Sequence, residues 1–90
     1  MTAYELQLFV GNLHFQATEA ELGNAIRGAG YRVSDVRIAR KEDGIASKGF
    51  GFVWLLTDKE QDAVISDLYG IVIRERGIRV ERISPKERAA

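Results

Sequence analysis

The stretch Lys48–Leu55, KGFGFVWL, alternates Phe50, Phe52 and Trp54 with Gly51, Val53 and Leu55, and neither set is polar. Consecutive side chains of an extended chain point to opposite faces, so the three rings share one face. Phe9, in LQLFV, is a fourth ring on a second extended segment. Rings held side by side on an open surface suit one kind of chemistry. Their π-faces take up unpaired nucleobases at roughly 1–3 kcal/mol per base, and neighbouring cations hold the phosphates that come with them. Other chemistries lack their residues. Cysteine is absent, which removes thiolate metal sites and disulfides. The single histidine, His14, falls in a loop and is expected to be solvated. No Asp/Glu/His set has metal-ligand or triad spacing, and no G-x-x-x-x-G-K loop occurs. Gly49 and Gly51 lie within a strand, which argues against a dinucleotide loop. The expectation is a binding module with no catalytic residue, metal or cofactor, and not an enzyme.

Alternating strands and periodic helices must position these rings. Leu6 to Val10 is rich in β-formers and stops at Gly11-Asn12, so it reads as a strand. Thr18-Glu19-Ala20-Glu21 has the form of a capping box, and Leu22, Ala25, Ile26 and Ala29 follow at helical spacing until Gly28 and Gly30. From Val33 to Ala39 the period is two, with Val36 and Ile38 on one side and Arg37 and Ala39 on the other. Residues 41–48 (KEDGIASK) read as an exposed loop, and residues 49–56 as the third strand. Asp58 is expected to cap a second helix whose stripe is Val64, Ile65 and Leu68. A short extra strand at 71–73 and a fourth main strand at 78–83 complete the pattern.

The order strand, helix, strand, strand, helix, strand predicts an α+β, ferredoxin-like split βαβ fold. It has a four-stranded antiparallel sheet with two helices on one face. Leu8, Val10, Val36, Ile38, Val53, Leu55, Ile78 and Val80 then belong under the helices, with Gly51 allowing a helix to approach closely. Phe9, Phe50, Phe52 and Trp54 must face outward.

Two segments carry a family resemblance. Leu8-Phe9-Val10-Gly11-Asn12-Leu13 matches the first-strand hexamer of the RNA recognition motif at every position. Lys48 to Leu55 matches its octamer, K/R-G-F/Y-G/A-F-V-x-F/Y, at all but the last position, about 40 residues downstream. Over residues 5–84 the chain resembles that family, with 85–90 as a short flexible C-terminal tail. The resemblance implies that Phe9 and Phe50 or Phe52 stack on bases, that one octamer ring lies against a ribose, and that Lys48 meets a phosphate. Arg37 and Ala39, and Arg79, Glu81 and Ile83, occupy outward positions that tune base choice in the family. Backbone groups around Ser84 read base edges there. Asn12, the fifth residue of the hexamer, joins the expected interface. Leu55 replaces the octamer's final aromatic at a core position. Trp54 stands where the family accepts many residues. It either adds a stacking ring or packs under residues 1–4 or a neighbouring molecule. Ile26 and Ala29 stand where larger aromatics are common, implying a lighter core or a shifted helix, and Gln61 replaces a small apolar residue.

The 13 basic and 13 acidic residues of the 90-residue chain cancel, but they are unevenly placed. Asp58, Glu60, Asp62 and Asp67 make the second helix acidic. Arg37, Arg40, Lys41 and Lys48, and Arg74, Arg76, Arg79 and Arg82, make strands and loops basic. Among these cations Arg37, Arg40, Lys48 and Arg79 are expected at the interface. The implied partner is single-stranded RNA, with single-stranded DNA accepted in vitro, in post-transcriptional regulation. The alternative is a protein-binding module of the same family using the helical face or the sheet. An intracellular monomer without a secretory signal or a membrane span is expected, cytoplasmic, or nuclear in a eukaryote.

Overall fold

A computed structural model describes residues 4–42, 44 and 47–83. The expected tail at 85–90, Ser84, and residues 1–3 lie outside the described residues. The elements are β1 (Tyr4–Gly11), α1 (Glu19–Gly28), β2 (Arg32–Arg40), β3 (Ser47–Thr57), α2 (Gln61–Leu68), β4 (Val72–Ile73), β5 (Arg76–Gly77) and β6 (Arg79–Arg82). Strands β2-β3-β1-β6 form a four-stranded sheet in that spatial order, all pairs antiparallel, as the ferredoxin-like arrangement requires. The extra strand expected near residue 72 pairs with β5 as a separate two-stranded ribbon.

Local sequence explains the start of α1. Thr18 Oγ1 accepts from the Glu21 amide at 3.1 Å, and Glu21 Oε1 accepts from the Thr18 amide at 3.0 Å, so two orphan donors are satisfied reciprocally. Glu19 and Glu21 in the first turn and Arg27 in the last complement the helix dipole. The expected cap of α2 is corrected. Glu60, not Asp58, holds the N-cap position, and no side chain caps it. This helix has only 8 residues and is held by packing, with Val64 and Leu68 fully buried.

Leu8, Val10, Val53, Leu55, Val64, Leu68, Ile78 and Val80 are at most 2% exposed and meet Leu22 and Ile26 of α1 in one core. Tyr31, just before β2, completes it. Two expectations about β-strands need correction. Gly51 does not make room for a helix. A Cβ there would meet Arg37 O at 2.4 Å and Ile38 Cα at 3.0 Å, so the glycine allows close approach of β2 to β3. Ile83, expected outward, is 5% exposed. It lies just beyond the end of β6, where strict alternation no longer governs the side chain.

Asn12 ends β1 with φ 55°, and its Nδ2 donates to Gly77 O of β5 at 2.9 Å. Asn12→Ala removes this bond and strains a left-handed residue, so it should cost about 1–2 kcal/mol in denaturant unfolding. Asn12→Gly should cost less, because glycine tolerates that φ. Tyr31 donates its hydroxyl to Asp67, while Lys59 Nζ lies 5.2 Å from the ring centroid. Desolvation first, then the hydrogen bond and charge of Asp67, push the phenol up to about 12. A phenol raised in the folded state contributes stability that is intact below its ordinary value of 10 and is lost as pH rises through about 12. Ultraviolet titration should show a late-titrating phenol that Tyr31→Phe removes, and the alkaline fall in melting temperature should be smaller in that variant.

Candidate nucleic-acid interface

Strand register assembles the rings. Phe9 lies opposite Phe52, Arg37 opposite Phe52 from the other side, and Glu81 opposite Phe9. One rung across the sheet therefore reads Arg37, Phe52, Phe9, Glu81. The adjacent rung places Trp54 between Asp35 and Gln7. Phe9 and Phe50 stack with centroids 5.7 Å apart and planes 24° from parallel. Phe52 meets Phe9 edge-on at 5.9 Å and Phe50 at 6.3 Å. Trp54 continues the row at 6.4 Å from Phe52. All four rings are half-buried, because each covers its neighbour while keeping a face to solvent. Gly11 makes space for this packing: a Cβ there would lie 3.0 Å from Phe9 Cε1.

The cations divide into two groups. Arg40 donates to Glu19 of α1, Arg74 Nε lies 2.9 Å from Glu21 Oε1, and Arg82 bonds to Asp62 of α2. These three tie strands and ribbon to helices. Arg40, expected at the interface, is thus brought to Glu19 of α1. The Arg74 hydrogen bond is the main influence holding the Glu21 carboxyl below its usual range. Glu19 is also lowered: burial opposes ionisation, but backbone amides and Arg40 together outweigh it. The second group stays on the open face. Arg37 Nε lies 3.2 Å from Asp35 Oδ2, and Arg79 Nη2 lies 3.1 Å from Glu81 Oε2. Residues two apart on one strand share a face, so each arginine is oriented by a carboxylate beside the rings. Lys48 is exposed and forms no ion pair with a described residue. Asn12 is exposed but braces β5 through the Gly77 bond described above.

Sequence reading omitted Gln7 and Asp35, although Gln7 shares the parity of Phe9 and Asp35 that of Arg37. Phe15 was also missed, since nothing in a loop fixes direction. It is 55% exposed and stacks on His14 with centroids 4.7 Å apart. His14 is consequently half-buried, not fully solvated as expected, and its Nδ1 accepts from the Gln16 amide at 3.0 Å. This loop is fastened to β3 by Ser47 N donating to Phe15 O and Leu13 N to Gly49 O. Among the described residues no group of His, Asp and Glu is arranged to hold a metal ion. Nor, among the described residues, is any helix long and apolar enough to cross a membrane.

Comparison with known proteins agrees with this geometry. The RNA recognition motif profile matches residues 8–79. A protein of Nostoc sp. strain PCC 7120 named for RNA binding, RbpD, is 34% identical over 82 residues, covering 91% of this chain and 86% of its own. The 29 kDa chloroplastic ribonucleoprotein A of Nicotiana sylvestris is 33% identical over 84 residues, covering 93% of this chain but only 30% of that protein. A solved Sxl-lethal protein/RNA complex superposes with a TM-score of 0.70 at 28% identity, covering 91% of this chain and 48% of that one. With the profile spanning most of the chain and both signature segments side by side on β1 and β3, the chain belongs to the RNA recognition motif family.

Proposed function

We propose that the chain binds single-stranded RNA across the open sheet face, with bases stacked on Phe9, Phe50, Phe52 and Trp54. The observation that carries this reading is the unbroken row of four half-exposed rings, spaced 5.7 to 6.4 Å apart and facing away from both helices. Such a patch on a small domain marks a binding surface. In this reading Lys48 meets a phosphate, while Arg37, Arg79 and Glu81 flank the rings and tune which base is held. Asn12 acts by shaping the end of β1. Arg40 supports the face through Glu19. Residues 5–84 form the binding module, which works as a cytoplasmic monomer on transcripts.

Three or four stacks offer roughly 3–12 kcal/mol gross. Ordering a flexible strand consumes much of that, which leaves affinity near the micromolar range, or about −8 kcal/mol. The formal net charge of zero limits the electrostatic share. With two or three phosphate contacts, log K should fall against log salt with a slope of about −1.5 to −2 for a single strand.

Anisotropy of labelled oligonucleotides tests the reading. Single-stranded RNA should bind, single-stranded DNA more weakly, and duplex RNA least. Phe50→Ala with Phe52→Ala should lower affinity at least about 30-fold, since two stacks of 1–3 kcal/mol are removed, and circular dichroism should show the fold retained. Unaltered binding by the folded double variant would move the RNA site off the sheet.

A further inference from the structure

Trp54 ends the row of rings beside an open notch of about 480 Å³ lined by Glu5, Ser34, Asp35, Arg37 and the indole itself. That size is within the range of small-molecule sites. A bulge in β2 between Val33 and Asp35 shapes it. Asp35 lies directly opposite Trp54, Arg37 one rung back opposite Phe52, and Glu5 one rung on opposite Leu56. Because β3 lies between β2 and β1, the indole is flanked diagonally by a guanidinium on β2 and a carboxylate on β1.

These polar groups are already aimed. Ser34 Oγ donates to Glu5 Oε2 at 2.9 Å, drawing that carboxylate across β3. Asp35 Oδ1 accepts from the Val36 amide at 2.8 Å, and Oδ2 accepts from Arg37 Nε at 3.2 Å. Asp35 therefore orients Arg37, whose terminal N–H groups remain as a donor fork. Glu5 keeps acceptor capacity, since an ionised carboxylate has about four lone-pair sites.

We propose that this notch is a guanine-selective subsite at the end of the RNA track, a proposal that rests on single-stranded RNA lying on the sheet. Guanine alone among the four bases combines neighbouring donors, N1–H and the N2 amino group, with neighbouring acceptors, O6 and N7. Glu5 accepts the donor pair, Arg37 donates to O6 and N7, and the purine ring stacks on Trp54. Adenine presents an amino group where Arg37 needs an acceptor, and it lacks the N2 amino group. Pyrimidines have no N7. Two carboxylates repel a phosphate, so a base edge and not the backbone enters the notch. An arginine side chain from a protein would also suit an indole and carboxylates, but Arg37 opposes a second guanidinium, and the continuous rings favour a base.

The test uses the full chain and short labelled oligouridylates carrying one guanosine, adenosine or inosine at each position in turn. Guanosine at one position should bind about 5- to 100-fold tighter than adenosine, the range of a good bidentate contact, and should quench Trp54 fluorescence. Inosine, without the N2 amino group, should lose part of that gain. Glu5→Gln and Arg37→Ala should each move the guanosine-to-adenosine ratio toward one, with circular dichroism confirming the fold. Equal binding of every RNA would overturn the subsite and leave the sheet reading in place. Binding to no RNA would overturn both. A guanosine preference untouched by either variant would place its source outside the notch and overturn the proposal.

Discussion

A sheet sealed by helices on one side turns every second side chain of its strands away from the core. Leu8, Val10, Val53, Leu55 and Val80 occupy the sealed face and are at most 2% exposed. Their sequence neighbours Phe9, Phe52 and Trp54 are therefore held on the other face by strand geometry alone. A slip of one residue in either pairing would exchange the two sets, at roughly 1.5–3 kcal/mol for each aliphatic side chain brought into water. Core burial thus fixes the register, and the register fixes the rings. The binding face is specified chiefly by residues that would never touch a ligand.

The same division sorts the charges. Arginines 40, 74 and 82 meet carboxylates of the two helices, and these contacts join layers. Arginines 37 and 79 each meet a carboxylate two residues away on the open face. Exposed pairs of this kind contribute little to stability. Their consequence is orientation: a guanidinium is aimed beside an aromatic ring before any ligand arrives. In the proposed reading, recognition depends more on ring faces and base edges than on a broad positive field, which suits a chain of zero formal net charge.

The elements whose signals are local were legible in the sequence. The capping box at Thr18 and Glu21 gave the start of α1, and alternation gave β1 and β3 with the correct faces. Features that depend on distant partners were not. The partner of Gly51 is the neighbouring strand, which only pairing reveals. The destinations of Arg40, Arg74 and Arg82 depend on how helices cross the sheet, and charge counting along the chain shows only that the strands and loops carrying them are basic. One further clue was present but unread. Val33 packs on the core together with Val36 and Ile38, a change of phase that period two forbids without a bulge. Ser34, the residue the register shift leaves unpaired, lines the notch beside Trp54.

The central claim, that parity presents the rings to RNA, is tested most directly by nuclear magnetic resonance of the chain titrated with a short single-stranded RNA. The account predicts ring-current shifts and intermolecular contacts concentrated on Phe9, Phe50, Phe52 and Trp54, with the buried faces of α1 and α2 undisturbed. Shifts confined to the helices, with the four rings unaffected, would contradict it.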